Sequence, residues 1–223
     1  MLKFFLSRVL YPLLTALAVM GLVACGGGGS VTVDPPPAAV VTQDLRPLPA
    51  EFLSRQAVAY SPFRTGNRDS ERITAAMVEQ DLNLLVQGNF RLIRLFDSSD
   101  AVARLILDVI DSKQLDVKVQ LGAYVNSFKN LSNPYRIAEV QASNWMELQR
   151  TVALATDPKY EDIVLTVSVG NETMVNWSIV PIDPTDMAAY IAYVRDRVRQ
   201  PVTTDDNFLF YTNPIPSVIA QSI

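Results

Sequence analysis

Ile163-Val164-Leu165-Thr166-Val167-Ser168-Val169-Gly170-Asn171-Glu172 is a mostly apolar run that stops on two adjacent polar side chains. It reads as a buried strand, Ile163 to Val169, which delivers Asn171 and Glu172 side by side at its C-terminal end. Helical patterns flank it. A helix is expected before it, from about Ala138 to Ala155, with Trp145, Leu148, Val152 and Ala155 on the inner face. After it, Asp183-Pro184 makes a good helix start, with aspartate as cap and proline in the first turn. Met187, Tyr190, Ile191, Val194 and Val198 then form that helix's apolar stripe.

The same alternation continues in both directions. Gln56 to Ser61 reads as a first strand, followed by a helix over about Ile73 to Gln87 that ends at Gly88-Asn89, residue types that accept a left-handed backbone. Arg91 to Phe96 reads as a second strand. The helix after it places Val102, Leu105, Ile106, Val109 and Ile110 on one stripe, with Ser98 or Ser99 as cap. Val117 to Leu121 is a third strand and Pro201 to Thr204 a fifth. Residues 207–223 show no clear period, and a short helix is expected within 216–223.

Strands that alternate with helices imply parallel pairing through right-handed crossovers. Two α/β architectures satisfy that, an open doubly wound sheet and a closed (β/α)8 TIM barrel. The doubly wound reading wants a glycine-rich turn after the first strand, where Ser61-Pro62-Phe63-Arg64 stands instead. All five strands end in polar residues: Tyr60, Asp97, Asn126, Glu172 and Asp205. That is the pattern of a barrel's active-site face. The expected fold is therefore a TIM barrel of which about the first five β/α units are present.

Composition narrows the chemistry. The 223 residues contain no histidine, which excludes histidine triads and histidine metal sites. The one cysteine, Cys25, excludes an intrachain disulfide and a zinc ribbon. No metal or other cofactor is implied. Net charge −4 and a pI near 4.9 argue against a nucleic-acid partner. Acid/base work falls to Asp, Glu, Lys or Tyr.

The N-terminus reads as an address. Lys3 and Arg8 precede an apolar stretch that ends in Leu22-Val23-Ala24-Cys25, which resembles a bacterial lipobox. Residues 1–24 are then a signal peptide and Cys25 is the lipidated first residue, a membrane tether. An uncleaved membrane anchor is the competing reading. Gly26 after the cysteine favours an exported lipoprotein of the outer membrane or cell surface. Residues 25–50 form a Gly- and Pro-rich linker, and residues 51–223 the catalytic-type domain.

Asn171-Glu172 carries the sharpest chemistry. A glutamate at a strand end can protonate a leaving glycosidic oxygen and then activate water, and a neighbouring asparagine can bond a sugar 2-hydroxyl. The plainer reading is that the pair merely ends a strand. Several segments together resemble glycoside hydrolase family 17, the β-1,3-glucanase family of the Asn-Glu barrel clan. They are Val169-Gly170-Asn171-Glu172, Ile93-Arg94-Leu95-Phe96-Asp97, Leu121-Gly122-Ala123-Tyr124-Val125-Asn126, Asn144-Trp145, Ala59-Tyr60 and Pro201-Val202-Thr203-Thr204.

The resemblance implies a retaining two-glutamate hydrolase of β-1,3-glucan with Glu172 as acid/base. It implies Asn171, Tyr60, Arg94, Asp97, Tyr124 and Asn126 as substrate-binding residues. Arg94 and Asp97 equally suit a structural ion pair, and Trp177 either stacks on a sugar or packs under its loop. Asp205 and Asp206 are acidic neighbours of the site. The family's nucleophile ends strand 7, and no residue here can be assigned to it. A closed barrel takes about 250 residues, so the chain is expected to be an incomplete form. A glucan transglycosylase or synthesis accessory protein, and a noncatalytic glucan-binding lipoprotein, are the alternative functions.

Overall fold

The computed structural model describes residues 45–68, 70–175, 177–178, 181–212, 217–220 and 222. Cys25, the signal segment and most of the linker lie outside the described residues. The strands are β1 (Gln56–Ala59), β2 (Phe90–Arg94), β3 (Lys118–Ala123), β4 (Val164–Asn171) and β5 (Val202–Asp205). The helices are α1 (Ala50–Ser54), α2 (Ala75–Gln87), α3 (Leu105–Ser112), α4 (Pro134–Thr156), α5 (Pro184–Arg195), α6 (Phe208–Thr212) and α7 (Ser217–Ala220). The five strands are all parallel, pair in the order β1-β2-β3-β4-β5, and curl into a half-barrel with α2 to α5 between them. The doubly wound alternative is excluded, because its strand order reverses partway.

The register separates two faces. Ile93 pairs with Val119, Leu121 with Val167, and Val167 with Val202. All five are buried in the core under the helices. On the other face Arg94 pairs with Gln120, Gln120 with Thr166, and Gly122 with Ser168, a largely polar inner wall. Ile106, Leu107, Val109 and Ile110 of α3 are nearly inaccessible. Each such side chain stabilises the fold by about 1.5–3 kcal/mol on burial.

Backbone details sharpen several expectations. Asn89, not Gly88, takes the left-handed conformation after α2, at φ 64°, whereas Gly88 has φ −77°. A π-helical turn, Asp100–Arg104, leads into α3, and neither Ser98 nor Ser99 caps it through its side chain. Ser98 is instead buried, donating through Oγ to the Glu147 carbonyl at 3.0 Å. Helix α4 begins four residues earlier than its apolar pattern does, because Asn133 caps it by accepting from the Tyr135 and Arg136 N–H groups and Pro134 fills its first turn. Trp145 is not on the inner face of α4. It is 38% exposed and packs edge-on against Tyr190 and Tyr193 of α5, at centroid distances of 5.3 and 5.2 Å. Asn144, Glu147 and Thr151 take the buried positions with Leu148, Leu154 and Ala155.

Two close fits fix the barrel arc. At Gly122, where β3 passes the end of β2, an added Cβ would lie 2.2 Å from the Leu95 carbonyl oxygen and 2.6 Å from the Phe96 carbonyl carbon. At the opposite end of the strands, Arg46 donates to the carbonyls of Arg195, Val198 and Gln200 at 2.9, 2.6 and 3.0 Å. A guanidinium there meets the negative end of α5.

Candidate active site

The C-terminal ends of β2 to β5 bring a polar constellation together. Arg94 Nη2 donates to Asn171 Oδ1 at 2.5 Å, and Arg94 Nε lies 2.5 Å from Asp205 Oδ2. The second contact is an ion pair without hydrogen-bond alignment. Gln120 Nε2 donates to both Asp205 oxygens, at 3.0 and 3.1 Å. Arg94 therefore pairs with Asp205 rather than Asp97, and the polar layer ties β2, β3, β4 and β5. With Asn171 Oδ1 held by Arg94, its Nδ2 is the end left to donate.

Glu172 follows directly and is exposed. Gly170 and Glu172 both have left-handed backbones, at φ 83° and 51°. For a glutamate that conformation costs about 1–2 kcal/mol and persists only where neighbours over-determine it. Here the Glu172 N–H donates to the Asp205 carbonyl at 2.7 Å, and the Met174 N–H to Asp206 Oδ1 at 3.1 Å. The Ile182 N–H donates to the Thr173 carbonyl at 3.0 Å. The turn is thus clamped from β5 and from the segment leading to α5.

Beside Asn171 lies a cleft of about 500 Å³, walled also by Phe96, Asp97, Tyr124, Asn126 and Glu147. The larger share of its wall is polar, which suits a hydroxyl-rich ligand. A second cavity, about 460 Å³, lies on the inner wall around Gln120, Thr166 and Phe52, away from Asn171 and Glu172. Asn171 lines the first. Asp97 Oδ1 accepts from the Ser99 N–H at 2.8 Å, so this carboxylate also holds its own turn. Tyr60 stands apart from the cleft. It is buried, and its hydroxyl donates to Asp81 Oδ2 of α2 at 3.0 Å. Burial, then the Asp81 carboxylate, push that hydroxyl well above tyrosine's usual range. Trp177 lies past Glu172, half exposed. Among the described residues, no three acidic, cysteine or histidine side chains are grouped to hold a metal ion.

Sequence reasoning passed over Glu147, which scaffolds the cleft. Its Oε1 accepts from the Ser98 N–H at 2.7 Å and the Tyr124 N–H at 3.1 Å, and Arg150 Nη2 lies 2.5 Å from Oε2. Asn144 works beside it. Its Oδ1 accepts from the Asn126 N–H at 2.8 Å, and its Nδ2 donates to the Asn126 carbonyl at 2.9 Å. Helix α4 thus positions Tyr124 and Asn126 through their backbones, which frees their side chains to face the cleft. The available signal was the spacing of Asn144, Glu147 and Thr151, one helical face in polar residues.

A parallel half-barrel with its polar groups at the strand ends is part of a (β/α) barrel. The chain is similar to a solved endo-laminarinase from Formosa Hel1_33_131, with TM-score 0.64 and 20% identity over 76% of this chain and 48% of that one. It therefore spans about half the length of that enzyme. A β-glucuronidase from Parabacteroides merdae shares a smaller likeness, with TM-score 0.38 and 16% identity over 56% of this chain and 14% of that one. No protein-family model matches the sequence, and no curated protein matches it significantly.

Proposed function

We propose that this chain is the acid/base half of an exported β-1,3-glucan hydrolase of the family 17 type. The observation that carries the reading is Asn171-Glu172 at the mouth of a parallel barrel arc, next to a polar cleft walled by Asp97, Tyr124 and Asn126. The solved endo-laminarinase with the same fold supports a glucan as substrate. In this reading Glu172 protonates the leaving glycosidic oxygen and then, as carboxylate, takes a proton from water. Asn171 donates from Nδ2 to the 2-hydroxyl, an interaction that strengthens as the sugar ring approaches an oxocarbenium ion. Arg94 keeps the amide in that orientation. A retaining enzyme places its second carboxyl about 5 Å away. Family resemblance assigns that group to a seventh strand, and the described residues contain five.

Reducing-sugar release from laminarin, wild type beside Glu172→Gln, tests this. Without that second carboxyl the rate should be no more than a trace; where the carboxyl is supplied, turnover should fall by about 10²–10⁴-fold in the variant, the usual worth of a positioned acid/base. Robust release that survives the substitution would defeat the site and the function together.

Cys25 is proposed as the lipid attachment point that holds the domain at the outer membrane or cell surface. Labelled palmitate fed to expressing bacteria should enter the wild-type protein and not Cys25→Ser. Equal labelling of the two sinks the anchor assignment.

A further inference from the structure

The turn that carries Glu172 is fastened by two consecutive aspartates in different ways. Asp205 supplies its backbone carbonyl to the Glu172 N–H, and Asp206 supplies a carboxyl oxygen to the Met174 N–H. The other oxygen, Asp206 Oδ2, is buried next to the Thr204 side chain of β5. Burial away from water makes the charged form of that carboxyl the costlier one.

The charged and titratable surroundings agree. Glu172 at the end of β4, Asp205 on its own segment and Tyr211 on α6 are the ionisable groups that face Asp206. The nearby cation Arg94 is taken by Asp205. Burial holds the Asp206 carboxyl above the usual aspartate range, the Met174 N–H and then the Thr204 side chain oppose that in part, and the charges of Glu172 and Asp205 add to it.

We propose that Asp206 is a positioning residue for Glu172: its carboxyl pins the left-handed turn through the Met174 N–H and lies buried beside the glutamate. The proposal rests on Glu172 being the acid/base group. It gives the site a second carboxyl that holds the first in place and takes no part in bond making.

The test is a carboxyl titration of the full chain, followed by ¹³C shifts with labelled aspartate and with Asp206→Asn as the assignment control. The Asp206 midpoint is expected above that of an exposed aspartate, and to drop in Glu172→Gln because the neighbouring charge is gone. A midpoint that ignores Glu172→Gln overturns the proposal. Amide exchange at Met174 gives the second readout. It should quicken about tenfold in Asp206→Ala and stay near wild type in Asp206→Asn, which keeps the acceptor oxygen. Fast exchange in both variants, or in neither, also overturns it. Where Asp206→Ala does not fold, the titration and the asparagine variant decide. Laminarin hydrolysis is scored separately, so coupled titration together with release that survives Glu172→Gln would sink the hydrolase reading and leave the carboxyl pair standing.

Discussion

Gly122→Ala is expected to cost at least about 3 kcal/mol, the upper end of what overpacking does to a core. An alanine Cβ would sit 2.2 Å from the Leu95 carbonyl oxygen, and the next atoms it meets, at 2.6 and 2.8 Å, are the Phe96 carbonyl carbon and oxygen. All three are backbone, so no side-chain rotation relieves the clash. Relief requires the end of β2 to move away from β3. That motion strains the Leu95 N–H bond to the Gln120 carbonyl at 3.0 Å and tilts Phe96 and Asp97, which wall the cleft. Domains of this class hold only about 5–15 kcal/mol in total, so the variant should melt roughly 6–12 °C lower. Thermal unfolding followed by circular dichroism measures it, with Gly66→Ala as control. Nothing lies within 4 Å of a Cβ at Gly66, and its melting point should stay with the wild type. If the two variants melt together, the close approach of β2 and β3 is wrong.

Glu147→Ala should be nearly as damaging, at about 2–3 kcal/mol, because each buried backbone donor left without an acceptor costs about 1–3 kcal/mol. Glu147 is 5% exposed, and its carboxylate serves the Ser98 N–H, the Tyr124 N–H and Arg150 at once. Truncation leaves two backbone donors and a guanidinium without their acceptor. Glu147→Gln keeps an oxygen for one side and should recover part of the loss. Urea unfolding of the three proteins ranks them. Laminari-oligosaccharide binding by the folded variants reports whether Tyr124 has shifted. A neutral Glu147→Ala would mean that the loops after β2 and β3 hold themselves without α4.

The parts of this fold that were legible in the sequence are those where burial follows an apolar period. Ile163 to Val169 announces β4, and the Val102 to Ile110 stripe announces α3, because water is excluded from one continuous face. Strand-end polarity then located the mouth, since every run stops on the same chemistry. Helix α4 shows where that logic fails. Its buried face includes Asn144, Glu147 and Thr151 because the loops after β2 and β3 bring N–H groups to it that need acceptors. An apolar template therefore selects Trp145, which instead packs at the helix rim against α5. Tyr60 shows a second limit. Sequence order puts it at a strand end, but only the approach of α2 supplies Asp81 and turns the hydroxyl away from the cleft. The Arg94–Asp205 pair joins residues more than a hundred positions apart, so curvature rather than spacing creates it.

Arg46 has a mechanical consequence. Its three bonds fasten the incoming chain to the segment between α5 and β5, at the end of the strands away from Asn171 and Glu172. Among the described residues, tension applied from the N-terminal side would load those carbonyls first. The Arg46 clasp is then the first link to part under force, and the carboxyl and amide at the opposite rim keep their spacing until it does.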